Sequence, residues 1–71
     1  MMTKYYRIRS REDLDTVQAW ARDPDRHSRV FHSSPEELWL LIVDTPPGCE
    51  PVHPQAESDL RDRISPFTPS E

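Results

Sequence analysis

The chain has 71 residues, one cysteine and a formal net charge of −4, with 31% charged and 34% apolar residues. This length fits one small domain, which buries only about 60% of its unfolded surface and therefore has a thin stability margin. One cysteine excludes a disulfide within the chain, and the longest apolar run, residues 38–43, is too short to cross a bilayer.

The first predicted element is a strand at residues 3–9, because its aromatic and β-branched residues favour extended structure. Successive side chains of a strand point to opposite faces. One face therefore carries Tyr6 and Ile8. The other face carries Tyr5, Arg7 and Arg9.

A helix is predicted to follow, from Ser10 to Ala21. Ser10 is a good N-cap, and Asp13, three residues later, completes a weak capping box. The apolar residues keep helical spacing and form one stripe: Leu14, Val17, Trp20 and Ala21. The helix ends before Pro24, because the residue that precedes a proline avoids the helical region.

A β-hairpin is predicted next. Residues 28–32 form its first strand, with Val30 and Phe31 as the apolar content. Residues 33–37 have two interpretations, since a Ser-Pro pair suits both a helix start and a type I turn. The hairpin is favoured because residues 38–43 end in β-branched side chains, and a helix that is apolar on all sides is unexpected in so small a domain.

The C-terminal part is predicted to hold a proline-rich loop at residues 44–54 and a second helix at residues 55–64. Ala56, Leu60 and Ile64 recur at intervals of four and line one face of this helix. Ser65-Pro66 ends the helix. Residues 66–71 are expected to form a frayed tail.

These elements predict one α+β domain over residues 1–65, of β-α-β-β-α type. The first two strands are parallel in a three-stranded sheet, and both helices cover one face of that sheet. The uncovered face then carries one of two apolar sets: Leu38, Leu40 and Ile42, or Trp39, Leu41 and Val43.

An uncovered apolar face predicts a protein-binding, non-enzymatic function. The predicted interface has an apolar centre and a charged rim, formed by Trp39, Leu41, Val43 and Tyr5, and by Glu36, Glu37 and Arg7. Trp39 is the expected hot spot, because large aromatic side chains dominate binding energy.

The expected partner is a second copy of the chain, in a homodimer, or a basic protein that handles nucleic acid. Residues 34–71 carry a net charge of −6, which favours a basic partner, whereas residues 1–33 carry +2. No apolar segment of a secretory signal is present, so we expect a cytoplasmic protein without a membrane partner. An inhibitor, an immunity or antitoxin-like factor, a phage or bacterial regulator, and an accessory subunit all fit this size.

A nucleic-acid-binding module is the alternative. The first strand and the residues around it supply one aromatic and four basic side chains: Lys4, Tyr5, Arg7, Arg9 and Arg11. Such a strand face resembles sheets that stack bases and hold phosphates.

A zinc- or thiol-dependent site is a further alternative. The zinc-type side chains are His27, His32, Cys49 and His53. His27 and His32 are five residues apart and point to opposite faces of a strand. Cys49 lacks the electropositive neighbours that activate a thiol. A single glycine excludes a phosphate loop and a Gly-x-Ser-x-Gly elbow. We therefore expect no metal, no cofactor and no enzymatic activity.

Overall fold

Four strands and two short helices make up the protein, whose computed structural model describes residues 2–69. The strands are β1 (Met2–Ile8), β2 (Ser28–Ser33), β3 (Leu38–Thr45) and β4 (Ile64–Phe67). The helices are α1 (Leu14–Ala21) and α2 (His53–Asp59), and 3-10 turns occupy Arg11–Asp13 and Pro24–Arg26. The chain is an α+β protein, as predicted, and its element order is β-α-β-β-α-β.

The strands form one antiparallel sheet in the order β2-β3-β1-β4. β2 and β3 form the predicted hairpin, in which Ser33 pairs with Leu38 beside the turn. β1 is antiparallel to β3, so β1 and β2 run in the same direction but are separated by β3. The prediction of three strands is wrong, because β4 adds a fourth strand at the edge beside β1.

β4 replaces the predicted end of the second helix and the beginning of the predicted tail. α2 begins at His53 and ends at Asp59, and Leu60 leaves the helical region with a φ of −120°. Ala56, Leu60 and Ile64 are nevertheless all buried. The spacing of four therefore identified core residues correctly, although the chain leaves the helix between them.

The predicted tail at residues 66–71 is corrected at its start, since β4 includes Pro66 and Phe67. These residues pair with Tyr6 and Tyr5 of β1. A proline is compatible with an edge strand, because only one side of that strand needs backbone donors. Residues 70 and 71 lie outside the described residues.

The first helix begins at the predicted cap. The Asp13 backbone N–H donates to Ser10 Oγ over 3.3 Å, and the Ser10 hydroxyl donates to the Asp13 carboxylate over 2.8 Å. The first turn is 3-10, and regular α-helix starts at Leu14. The backbone at Asp23 is extended before Pro24, which ends the helix as predicted.

Both helices pack on the same face of the sheet, as predicted. The shared core comprises Tyr6, Ile8, Leu41, Val43 and Ile64 from the sheet, and Val17, Trp20, Ala56 and Leu60 from α1, α2 and the residue after α2. Two side-chain hydrogen bonds hold α2 in place: the Tyr6 hydroxyl donates to Glu57 over 2.9 Å, and Trp20 Nε1 donates to Asp59 over 3.0 Å. The core under the helices contains side chains from only one side of the sheet, and no helix covers the other side.

Candidate functional site

The sheet face opposite the helices is the first candidate site, and we call it the open face. Strand register and alternation place twelve residues on it: Thr3, Tyr5, Arg7, Arg29, Phe31, Ser33, Leu38, Leu40, Ile42, Asp44, Ser65 and Phe67. Leu38, Leu40 and Ile42 run along its middle strand β3. The open face therefore has an aliphatic centre with aromatic and basic side chains on both sides.

The aliphatic centre is largely buried within one copy of the chain, although no helix lies over it. Leu40 and Ile42 are only 8% and 6% exposed, although neither belongs to the core under the helices. Arg7 and Phe31 lie opposite Leu40 on the two adjacent strands, close enough for side-chain contact. Phe31 itself is 51% exposed and offers the largest free apolar side chain of the open face.

One end of the open face is closed by a polar network. The Asp44 carboxylate accepts a hydrogen bond from the Thr3 hydroxyl over 2.8 Å and from Arg29 over 2.7 Å. These contacts lower the pKa of Asp44 below its ordinary value, the Thr3 bond being the larger cause. Arg29 is thus partly neutralised, whereas Arg7 makes no ion pair within residues 2–69.

The predicted interface centre has to be corrected, because β3 presents its other set of apolar residues to the open face. Leu41 and Val43 are fully buried in the core. Trp39 is half-buried against that core, and its ring stacks on His32 with centroids 4.1 Å apart. Leu41 and Val43 cannot contact a partner in this fold.

The remaining residues of the predicted interface are divided. Tyr5 and Arg7 lie on the open face, as alternation requires. Glu36 and Glu37 are exposed in the β2–β3 turn, beyond one end of the sheet. The rim of the open face is consequently basic beside its centre, and acidic residues lie at its two ends: Glu36 and Glu37 near the turn, and Asp44 at the opposite end.

Sequence reasoning missed Arg29, Phe31 and Phe67 as residues of the open face. A signal was present in Asp44, which shares its alternation with Leu40 and two other aliphatic residues of β3. A charged residue at the end of one apolar set marks the set that faces away from the core.

The second candidate site is a cleft at the turn end of the sheet, which we call the end cleft. β1 pairs with β3 only as far as Arg7 and Leu40, whereas β2 continues to Ser33 and Leu38. β1 then leaves the sheet toward the turn at Arg11–Asp13. A space of about 460 Å³ opens where β3 lacks this neighbour.

The end cleft is rich in basic and aromatic groups. Its walls comprise Arg7, Ile8, Arg9, Ser10, Arg11, His32, Ser34, Glu37, Leu38 and Trp39. Within residues 2–69 none of the three arginines makes an ion pair, whereas Arg26, Arg29 and Arg63 each pair with an aspartate. Glu37 is the one acidic residue among these walls, against three arginines.

The predicted nucleic-acid set is divided between these surfaces. Tyr5 lies on the open face, Arg9 and Arg11 line the end cleft, and Arg7 borders both. Lys4 points to the helix side, where its ammonium lies 3.6 Å from Glu57.

The four zinc-type side chains have separate environments. His53 is buried, and its Nε2 lies 3.0 Å from the Thr45 hydroxyl. His32 stacks on Trp39, and Cys49 is exposed in the loop before α2. His27 is exposed between the 3-10 turn at Pro24–Arg26 and β2. Among residues 2–69, no group of three or more His, Cys, Asp or Glu side chains is arranged to hold a metal ion.

Comparison with known proteins found no match for the chain among protein-family models, curated proteins or solved structures. Within the described residues, neither helix is long and apolar enough to span a membrane.

Proposed function

We propose that the chain is a non-enzymatic protein-binding module whose interface is the open face, and that a second copy of the chain occupies this face. The observation that carries the proposal is the one-sided packing of the helices. It leaves Phe31 half-exposed beside the aliphatic residues of β3. Apolar surface of this kind, with charged residues around it, is typical of protein interfaces.

Six residues of the open face form two rows across the three adjacent strands β2, β3 and β1. One row holds Phe31, Leu40 and Arg7, and the other holds Arg29, Ile42 and Tyr5. On β2 and on β1, the strands on either side of β3, one row has an aromatic residue where the other row has an arginine. The face is therefore complementary to itself when the two rows are exchanged.

A two-fold axis that lies in the interface and crosses the strands makes this exchange. It places Arg7 over Tyr5 of the second copy, and Phe31 over Arg29 of the second copy. Guanidinium groups bind favourably over aromatic rings, and the largely buried aliphatic centres of the two copies lie opposite each other between these contacts. Self-complementarity of this kind favours a second copy as the occupant.

The size of the open face predicts a weak dimer. Four strands about 4.8 Å apart, each about six residues long, cover a projected area of about 400 Å² per copy. The accessible surface that the dimer buries is larger, because side chains protrude from the sheet. Stable interfaces bury about 800 Å² per partner, so this dimer lies near the low end. We expect a dissociation constant of roughly 1–100 μM.

The test is sedimentation equilibrium of Phe31→Asp against Met2→Asp. Both side chains are more than half exposed, but Met2 pairs with Thr45 on the helix side of the sheet. We expect Phe31→Asp to weaken dimerisation at least about 30-fold, since it buries a charge in an apolar contact. Met2→Asp should dimerise like the wild type, and circular dichroism checks that both variants fold.

Two results would overturn this proposal. A wild-type chain that stays monomeric to about 1 mM, far above the expected constant, excludes the second copy as occupant. Equal effects of the two aspartate variants exclude the open face as the interface.

The same face would serve a small inhibitor, an immunity or antitoxin-like factor, or an accessory subunit of a larger protein. A larger partner would have to present apolar side chains together with groups that accept the guanidinium of Arg7. Competition with self-association follows, because both partners need Phe31 and Arg7.

Binding of single-stranded nucleic acid is the second candidate function. It is favoured by three aromatic residues, Tyr5, Phe31 and Phe67, on the same open face as two arginines. Aromatic side chains on an exposed four-stranded sheet stack bases, while arginines hold phosphates. A fluorescently labelled oligonucleotide titrated with the wild type and with Arg7→Gln tests this function. Equal affinity of the two proteins would exclude the open face as the nucleic-acid site.

A further inference from the structure

We infer that the end cleft is a binding site for a nucleoside phosphate. The phosphate group would lie between the guanidinium groups of Arg9 and Arg11, and the base would lie against the wall formed by His32 and Trp39. The end cleft shares Arg7 and Leu38 with the open face, but the contacts inferred here, with Arg9, Arg11, His32 and Trp39, lie outside that face and do not depend on the proposed dimer.

The cleft exists because of the strand register. β3 has no β1 neighbour at Leu38 and Trp39, the two residues before Leu40, although both still pair with β2 in the hairpin. The segment that leaves β1 forms the opposite wall and carries Arg9 and Arg11. A space of about 460 Å³ falls within the range of small-molecule sites.

The charge of the cleft points to an anion. The chain has a net charge of −4, yet the cleft walls hold three arginines and one glutamate. Of the five other arginines, Arg26, Arg29 and Arg63 are paired with aspartates at distances of 2.7–3.7 Å, whereas none of the three cleft arginines has such a partner within residues 2–69. Guanidinium groups bind phosphate oxygens in a fixed, paired geometry, which makes phosphate a well-matched ligand.

The aromatic wall points to a planar ring attached to that anion. His32 and Trp39 are stacked with an interplanar angle of 18°, and both line the cleft. His32 is exposed, whereas Trp39 is held in place by the core. A flat and immobilised aromatic surface next to arginines is the combination that binds nucleotides through stacking and charge together.

Nuclear magnetic resonance titration tests the inference with three probes: adenosine monophosphate, adenosine and inorganic phosphate. The chain has two tryptophans, and they serve as an internal control. The indole N–H signal of Trp39 should shift with the nucleotide, whereas that of the buried Trp20, which donates to Asp59 and does not line the cleft, should not. We expect the nucleotide to bind at least about tenfold more tightly than either fragment, since each fragment loses one set of contacts.

The variant Arg9→Gln/Arg11→Gln should weaken binding of the nucleotide at least about tenfold, because it removes charge-assisted hydrogen bonds. A control matched for charge is Arg22→Gln/Arg61→Gln, which removes two exposed arginines that do not line the cleft. The control should bind within about twofold of the wild type, since only long-range charge has changed. Both variants keep Arg7, which also belongs to the open face.

Three results would overturn the inference. If both double variants lose the same affinity for the nucleotide, binding depends on the overall charge of the chain and not on a specific site. Adenosine that binds as tightly as the nucleotide would exclude the phosphate contact, and phosphate that binds as tightly would exclude the aromatic wall.

A tetranucleotide with and without a 5′-phosphate distinguishes the two sources of the ligand. Tighter binding of the 5′-phosphorylated strand than of the mononucleotide identifies the end of a nucleic acid strand. The reverse order identifies a free nucleotide. Either order supports a nucleoside phosphate site. If none of these ligands shifts the Trp39 signal, the inference is contradicted.

Discussion

His53 shows how one buried side chain links the proline-rich loop to the sheet. It is 4% exposed, its Nε2 lies 3.0 Å from the Thr45 hydroxyl, and its Nδ1 is buried without a hydrogen-bond partner in the described structure. Burial lowers the pKa of His53, and the positive charge of Lys4 lowers it further. The neutral imidazole is therefore the form that the folded chain accommodates.

This geometry predicts a loss of stability on mild acidification. The unfolded chain takes up a proton at His53 near its ordinary pKa of about 6.5, whereas the folded chain does so only at lower pH. The contribution of the neutral His53 side chain to the free energy of unfolding is thus fully present above its ordinary pKa. This contribution is lost as the pH decreases toward the pKa of the folded chain. The limiting slope is about 1.4 kcal/mol per pH unit for one proton.

Urea unfolding between pH 8 and pH 5.5 measures the contribution of His53. His53→Gln should lower the free energy of unfolding at pH 8 and flatten its decline toward pH 5.5. The control is His32→Gln, which replaces an exposed histidine and should keep the wild-type slope. An unchanged slope in His53→Gln would contradict the role assigned to this side chain.

β3 is the element on which the two faces of the sheet depend, and adjacent leucines separate them. Leu41 is fully buried under the helices, whereas Leu40 is 8% exposed among lateral neighbours on the open face. We expect Leu41→Ala to lower the free energy of unfolding by about 3–5 kcal/mol, because it leaves a closed cavity. Leu40→Ala should cost about 1–2 kcal/mol, since its space opens to solvent, and should also weaken the dimer.

Urea unfolding and sedimentation equilibrium of both alanine variants test this assignment. If Leu41→Ala does not fold, Leu40→Val and Leu41→Val allow the same comparison, because each valine variant loses less stability than the corresponding alanine variant. The assignment of the faces is refuted if the Leu40 variant costs as much stability as the Leu41 variant.

The elements show what the sequence could predict and where physical ambiguity remained. The cap at Ser10 and the stop at Pro24 are local signals, and they located the first helix. The hairpin followed from an apolar run that has no polar helical face. The spacing of Ala56, Leu60 and Ile64 suits a helix, but a short helix followed by a turn and a strand buries the same three residues.

The choice of the open face was ambiguous for a different reason. Both sets of residues in the run at 38–43 are apolar, so alternation alone gives no preference. Pairing decides it, since Leu41 lies beside Tyr6 and Leu40 beside Arg7. The end cleft depends on where β1 stops pairing with β3, and neither register nor strand ends can be read from local sequence patterns.

At the scale of the whole molecule, the net charge of −4 separates the two candidate functions. Two copies of an acidic chain repel each other, and this repulsion is screened as the Debye length falls from about 30 Å at 0.01 M salt to about 8 Å at 0.15 M. Dimerisation through the apolar centre should therefore stay constant or strengthen as salt is added. A nucleic acid bound through arginines behaves in the opposite way, because binding releases counterions.

The final prediction compares both equilibria at low and high salt. If nucleic acid binds through three phosphate contacts to a single strand, raising NaCl from about 20 mM to about 300 mM should weaken this binding roughly 300-fold. Over the same range, the dissociation constant of the dimer should decrease by less than about tenfold. Sedimentation equilibrium and oligonucleotide titration measure the two quantities on the same protein. A dimer that dissociates steeply with salt would show that charge pairs hold it together, in conflict with an interface centred on Phe31 and Leu40. A nucleic acid affinity that resists salt would exclude arginine–phosphate contacts on either surface.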